Sequence, residues 1–76
     1  MSFRSERMFL LGHIEKHINE GSGHVARMQR LVADGERQRF NMTEAKRRLS
    51  EFLTAQAARQ AYREQILREL GLVGSA

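Results

Sequence analysis

Residues 8–32 have the sequence MFLLGHIEKHINEGSGHVARMQRLV and decide the fold. Apolar and glycine residues recur there every seven positions, in two rows that lie three residues apart. Such rows are positions a and d of a heptad repeat, which form one narrow apolar seam along a long helix. The rows are Leu11, Ile18, Val25 and Val32, then Ile14, Gly21, Met28 and Gly35. A helix with this seam needs a partner, so the sequence predicts a long helix packed against another.

The composition favours an all-α chain with a single domain over residues 1–76. Proline is absent, and the middle of the chain is rich in Ala, Leu, Glu, Arg and Gln, which are good helix formers. Cysteine is also absent, which excludes a disulfide framework and a thiolate zinc site. The longest apolar run, residues 8–11, is too short to span a membrane. We therefore expect a soluble cytoplasmic protein that does not contact membranes.

The first helix is expected over about residues 5–37, after Ser2 or Ser5 as its N-cap. Gly21 and Gly23 are the weak point, because glycine in a helix interior costs roughly 1 kcal/mol relative to alanine. The chain could break there and form a three-helix bundle, or continue as one helix. The heptad stays in phase across both glycines, which favours one continuous helix.

The second helix is expected over about residues 42–70. The sequence from Asn41 to Glu44 has the spacing of a capping box, with Asn41 as the cap and Glu44 reaching back. Gly71 is a natural stop, because glycine commonly follows the last residue of a helix. Residues 71–76 then form a short tail.

A short connection between two long helices predicts an antiparallel helical hairpin, similar to a coiled coil, in which the numbers of opposed residues sum to roughly 80. Further apolar side chains, such as Phe9, Leu31 and Tyr62, flank the seam and remain uncovered in one hairpin. Two hairpins would cover them as a four-helix bundle, so we predict a homodimer. The predicted core and dimer residues are Leu11, Ile14, Ile18, Val25, Met28, Val32, Leu49, Phe52, Ile66, Leu67 and Leu70.

Three segments carry a resemblance to a known group of proteins: HINEGSGHVARMQRLV, NMTEAKRRLSEFLTAQ and YREQILREL. Together they make residues 12–70 similar to a group of short uncharacterised bacterial proteins. The resemblance implies a helix–turn–helix hairpin and no established activity. The chain departs from the group at Gln38, Arg39 and Phe40, which replace a turn of the Asp-Gly-His type.

Four potential metal ligands lie on one stripe of the first helix: His13, His17, Glu20 and His24. Histidines four residues apart can share a metal ion, but the stripe extends about 16 Å, so one ion could reach only two neighbours. The residues opposite offer amides and cations, which are poor ligands for a divalent cation: Gln56, Arg59, Gln60 and Arg63. We therefore expect no metal or other cofactor, and a polar layer that joins the stripe to these residues. A pH-dependent loosening as the histidines protonate is a second hypothesis.

The formal charge of +4 lies in residues 27–48, where seven Lys and Arg stand against three Asp and Glu. The hairpin gathers five of these cations near its turn: Arg37, Arg39, Lys46, Arg47 and Arg48. Such a cluster is typical of a surface for an anionic partner such as nucleic acid. It is equally typical of a solvated surface with ordinary i,i+4 ion pairs, such as Glu44 with Arg48.

The sequence contains no recognisable nucleophile with its base, no phosphate-binding loop and no paired carboxylates. We therefore predict that the chain is not an enzyme. It is expected to be a structural or interaction module that self-associates through its apolar helix faces and offers a surface to a protein partner. The alternative is an accessory nucleic-acid-binding protein that uses the basic turn.

Overall fold

A computed structural model describes residues 2–72 and contains two helices, α1 (Phe3–Arg37) and α2 (Thr43–Glu69). No strand occurs within these residues. The helices pack against each other as a hairpin, so the all-helical hairpin fold is confirmed. Compared with the expected ranges, α1 begins two residues earlier and α2 is one residue shorter at each end. Residues 73–76 of the expected tail lie outside the described residues.

Helix α1 is continuous over 35 residues and passes through Gly21 and Gly23 without a break. Ser2 is its N-cap, and the Ser2 hydroxyl accepts a hydrogen bond of 3.1 Å from the backbone N–H of Ser5. Glu6 lies in the first turn, where a negative charge interacts favourably with the helix dipole. The break into a three-helix bundle, which the glycines left open, does not occur.

Helix α1 ends in a Schellman motif built around Arg39. The backbone N–H of Phe40 donates to the carbonyl of Gly35 at 2.9 Å, and that of Arg39 donates to Glu36 at 3.0 Å. Arg39 adopts a φ of 63°, the left-handed conformation that glycine usually supplies.

Helix α2 begins after Met42, and the capping box predicted from Asn41 and Glu44 is wrong. Asn41 Oδ1 accepts hydrogen bonds from the backbone N–H of Thr43 at 3.0 Å and from the Thr43 hydroxyl at 2.7 Å. This local turn delays the helix by one residue, because the side chain of Asn41 already satisfies the Thr43 amide. Glu44 points along the helix to Arg47 instead of back to Asn41.

Helix α2 ends in a second Schellman motif, this time with glycine at the left-handed position. Gly71 has a φ of 72°. The backbone N–H of Leu72 donates to the Leu67 carbonyl at 2.9 Å, and that of Gly71 donates to Arg68 at 3.0 Å. The predicted stop at Gly71 therefore marks the end of α2.

Contacts between the helices follow the expected register. Arg63 lies opposite Glu15, with 3.8 Å between Nε and Oε2, and the Phe52 ring lies opposite the His24 ring. Near the turn, Lys46 Nζ forms an ion pair of 2.6 Å with Glu36. These pairs fix α2 antiparallel to α1, with residue numbers that sum to about 80 as expected for a short turn.

The core is strongest at the open end of the hairpin, where Ile66 is fully buried between Leu11 and Leu70. Leu10, Ile14 and Leu67 pack around this cluster as half-buried side chains. Of the other predicted core residues, Val25 and Val32 are buried, and Phe52 is 37% exposed. The remaining ones are half-buried: Ile18, Met28 and Leu49.

Candidate interaction surfaces

The middle of the hairpin is built from a glycine on α1 and a polar side chain on α2. Gln56 is only 7% exposed. Its amide Nε2 donates a hydrogen bond of 3.0 Å to the Ile18 carbonyl, and its Oε1 accepts one of 2.9 Å from Arg59. A Cβ atom on Gly21 would overlap the Gln56 amide group. Gly21 therefore provides the space in which Gln56 is buried.

A second glycine repeats this arrangement near the turn. Gly35 is buried, and a Cβ atom there would overlap the side chain of Met42. Both glycines belong to the d row of α1, two heptads apart. At each of them, a long side chain, Gln56 of α2 or Met42 just before α2, lies against the bare α1 backbone. We call these two places the glycine notches.

The histidine stripe does not form the polar layer predicted from the sequence. His13 stacks on Phe9 with ring centroids 5.9 Å apart and meets His17 edge-on at 4.9 Å, so these three rings interact along α1 itself. His24 packs against Phe52, with ring centroids 4.4 Å apart. Gln56 instead takes its partners from the α1 backbone and from Arg59. Glu20 is exposed.

The described residues bring no three His, Asp or Glu side chains together as a possible metal site. His13, His17, Glu20 and His24 stay spread along α1, as their spacing indicated. Between residues 2 and 72, no histidine side chain forms a hydrogen bond with α2. His13, His17 and Glu20 are therefore surface residues, and within the stripe His24 is half-buried against α2.

Most of the basic turn is engaged in ion pairs. Arg47 forms two hydrogen bonds with Glu44, at 3.0 and 2.5 Å, and one with Glu51 at 2.8 Å. Arg48 Nε lies 3.4 Å from Glu44, which is the i,i+4 pair expected from the sequence. The two guanidinium groups hold the pKa of the Glu44 carboxyl below its ordinary value, mainly through the hydrogen bonds with Arg47. Conversely, Glu44 raises the pKa of Arg47.

The other three cations of the turn differ in their pairing. Arg37 pairs with Asp34, and Lys46 bridges to Glu36 across the turn. Arg39 makes no ion pair with any residue in the described part of the chain. The five residues thus lie at one end of the hairpin, as predicted, but carboxylates accompany four of them.

Many large apolar side chains remain exposed on the hairpin: Phe3, Met8, Phe9, Leu31, Phe40, Phe52, Leu53, Tyr62 and Leu72. Within α1, Phe9 is 68% exposed and Leu31 is 60% exposed. Near the turn, an apolar groove of about 350 Å³ is lined by Leu31, Asp34, Gly35, Gln38, Phe40 and Met42. We call this the turn groove.

A second groove, of about 400 Å³, lies along the side of the hairpin where Glu15 faces Arg63. Its lining also includes Asn19, Gln60 and Glu64. No sequence motif indicates this groove, because it results from the way the two helices lie side by side. It is open and polar, and it holds no arrangement of a nucleophile and a base.

Neither α1 nor α2 is apolar over a length that would cross a bilayer. Comparisons with protein-family models, curated proteins and solved structures found no match to this chain.

Proposed function

We propose that the protein is a non-enzymatic structural module that self-associates through the helix faces left exposed in one hairpin. The observation that carries this proposal is the extent of uncovered surface. The hairpin exposes 5794 Å² of accessible surface and measures 54 × 27 × 14 Å, so it is a single layer of two helices. A globular monomer of 8.8 kDa is expected to expose only about 4,800 Å².

The excess of about 1,000 Å² is close to the roughly 800 Å² that each partner buries in a standard protein interface. Much of it is apolar, as the exposure of Phe9, Leu31 and Tyr62 illustrates. Stable domains usually have two packed layers around one core. A second copy would supply the missing layer and complete a four-helix bundle. The proposal also includes a cytoplasmic location and a protein partner that binds the outer surface of the dimer.

The alternative role, nucleic-acid binding through the basic turn, has weaker support. Four of its five cations already have carboxylate partners, so less of their charge is available for phosphates. Of these five cations, Arg39 alone forms no ion pair with a carboxylate among residues 2–72. Phosphate contacts release counterions from the nucleic acid, so such binding should weaken steeply as salt is added, and that behaviour would favour the alternative.

The test is the molar mass of the full chain in solution, measured by sedimentation over a wide range of concentration. We expect twice the chain mass, with dissociation only on dilution. Leu31→Gln should shift the equilibrium towards the monomer, because it removes an exposed apolar side chain and keeps a good helix former. Ala33→Gln is the matched control on an exposed position of the same helix and should leave the equilibrium unchanged. A native chain that stays monomeric at high concentration contradicts the proposal.

A further inference from the structure

One side of the hairpin carries a row of residues on each helix at heptad spacing. On α1 the row is Phe3, Leu10, His17, His24 and Leu31. On α2 it is Arg48, Ala55, Tyr62 and Glu69. Each row keeps a constant position beside the seam, because the seam itself repeats every seven residues. All nine residues are half-buried or exposed. We call this side the His–Tyr face.

Contacts at both ends show that the two rows share one side. At the open end, the Arg7 guanidinium lies over the Phe3 ring, 4.9 Å from its centroid, and Arg7 Nε lies 3.5 Å from Glu69 Oε2. Nearer the turn, His24 contacts Phe52, which is about one helical turn from both Arg48 and Ala55. The polar groove around Glu15 and Gln60 occupies the opposite side, together with Leu53, seven residues before Gln60.

Each row is complementary to itself when it is reversed. If an α1 row runs antiparallel to a second copy, with the centre between Glu20 and Gly21, Leu10 comes level with the partner's Leu31. His17 then comes level with the partner's His24. Apolar residues meet apolar residues and imidazoles meet imidazoles at these four positions of the row, whereas Phe3, at its end, has no counterpart within the row. This is the pattern required of an isologous interface, in which one surface must fit itself.

The α2 row has the same property, in charge and in size. With its centre between Ala58 and Arg59, Arg48 comes level with the partner's Glu69, and Ala55 with the partner's Tyr62. A cation thus meets an anion, and the largest side chain of the row meets the smallest. Opposite charges and a large–small alternation are the features that let two packed layers interdigitate.

The two centres lie at nearly the same height of the hairpin. Gly21 lies against Gln56, which is about two residues, or roughly 3 Å along a helix, from the centre of the α2 row. A single twofold axis across the hairpin therefore serves both rows to within about 3 Å. The two rows were identified separately, so their agreement on one axis is an independent indication of the same arrangement.

We infer that a second copy docks on the His–Tyr face with its turn at the opposite end, so that α1 packs against α1 and α2 against α2. In this dimer Phe3 lies at the height of the partner's Gln38, beside the turn groove, which is open and apolar. The groove would receive the Phe3 ring, which is 55% exposed in the single hairpin. This inference rests on the proposed self-association and adds its face and its direction.

The other way to stack two hairpins brings both turns to the same end and places α1 over the partner's α2. Leu10 would then lie level with the partner's Glu69, and Leu31 with the partner's Arg48, so apolar side chains would meet charges. The basic residues 27–48 of both copies would also lie side by side. In the antiparallel dimer the turn cations of the two copies, such as Arg37, lie near opposite ends of the 54 Å hairpin, much farther apart than the screening length of about 8 Å at physiological salt.

The direction can be tested on the full chain with spin labels, because the chain contains no cysteine of its own. Arg37→Cys places a label at the turn, and pulsed dipolar spectroscopy should give a separation close to the 54 Å length of the hairpin. Turns at the same end would bring the labels within about 20 Å, because packed helices are 8–10 Å apart. Ala58→Cys, near the axis, should give a short separation in either dimer.

These measurements separate the two hypotheses. A short separation at residue 58 with a long one at residue 37 supports the inference. Short separations at both positions would overturn it and leave self-association standing. No dipolar coupling at either position, with a monomeric mass by sedimentation, would overturn both and would direct the search to a different protein as the occupant of the face.

The face is tested by a matched pair on α2. Tyr62 and Leu53 are similarly exposed, at 39% and 45%, and lie on opposite sides of the hairpin. Tyr62→Lys should raise the dissociation constant of the dimer about tenfold or more, since burial of one aromatic side chain is lost. Leu53→Lys should change it by less than about threefold. The reverse order of effects, in chains of native helicity by circular dichroism, would overturn the assignment of the face.

Charge reversal tests the pairing of Arg48 with the partner's Glu69. Within one chain, Arg48 pairs with Glu44 and Glu69 with Arg7. Arg48→Glu and Glu69→Arg should each weaken the dimer several-fold, because like charges then face each other across the interface. In the double variant both pairs within the chain stay broken, so recovery of affinity has to come from the partner. A double variant no tighter than the weaker single variant would contradict the pairing.

Discussion

The open end of the hairpin and its two glycine notches hold the helices together by different means. At the open end, Ile66 is fully enclosed by branched apolar side chains. At the notches, Gln56 and Met42 lie against the bare backbone of Gly21 and Gly35. The first contact derives its free energy from burial of apolar surface, and the second depends on the absence of a side chain. Loss of side-chain atoms should therefore destabilise the open end, whereas gain of side-chain atoms should destabilise the notches.

The largest effect is expected from Ile66→Ala at the open end. Removal of a fully buried isoleucine leaves a cavity and should lower the free energy of unfolding by about 2–5 kcal/mol. Urea denaturation at a fixed protein concentration measures it, since the stability of a self-associating chain depends on concentration. A loss below about 1 kcal/mol would mean that the cluster collapses around the gap and that the open end is loosely packed.

The next largest effect on stability should come from the notch at Gly21, where the sign of the effect depends on the residue at position 56. Gly21→Ala alone should destabilise the hairpin by about 1–2 kcal/mol, because the new methyl group displaces a buried and hydrogen-bonded Gln56. In a Gln56→Ala chain the same substitution should stabilise by about 1 kcal/mol, since the space is then free and alanine is the better helix former. The double-mutant cycle by urea denaturation measures the difference.

Gly12→Ala is the control for this cycle. Nothing lies near the position of a Cβ atom at Gly12, so the substitution should stabilise by about 1 kcal/mol in either background. If Gly21→Ala matched Gly12→Ala in the native background, Gln56 would turn aside at no cost. The distinction between the notch and an ordinary helical glycine would then be wrong.

The two helix ends extend the comparison, because Arg39 and Gly71 occupy the same left-handed position of the same motif. Arg39→Gly should stabilise by about 1 kcal/mol, as it relieves the clash between Cβ and the backbone in that conformation. Gly71→Ala should destabilise by a similar amount for the same reason. Thermal unfolding of both variants measures the two changes in stability. If both variants were destabilised, Arg39 would not hold the left-handed conformation in solution.

The sequence predicted the parts of the fold that follow from periodicity. The heptad of residues 8–35 correctly predicted a continuous α1. The short polar connection correctly predicted the hairpin and its register. The branched side chains Leu11, Ile66 and Leu70 were predicted in the core because burial of such residues at seam positions is favourable in any helical pairing.

The partners at the notches were not predicted, because the pattern shows a glycine without showing what fills its space. Gln56 was expected to contact histidines, but its amide donates a hydrogen bond to the Ile18 carbonyl. No sequence motif predicts a bond to that backbone group. The cap at Asn41 was wrong because a capping box and a local turn use the same residue types. Phe52 was expected in the core but lies beside the His24 ring, which leaves it partly exposed.

The smallest effect should come from pH at the turn, where exposed ion pairs rather than packing connect the residues. The pKa of Glu44 lies below its ordinary value of 4.5 in the folded chain, mainly because Arg47 donates hydrogen bonds to its ionised form. The resulting stabilisation is present above the ordinary carboxyl pKa and is lost as the pH falls through the lower folded value. The melting temperature of the native chain should therefore fall more between pH 6 and pH 3, spanning about the ordinary carboxyl range, than that of a Glu44→Gln chain. Because Glu44 is solvent-exposed, the difference should shrink as salt is added, whereas the loss caused by Ile66→Ala should not. Equal falls in the two chains would show that the ion pairs at the turn add nothing to the hairpin, which the open end and the notches would then hold alone.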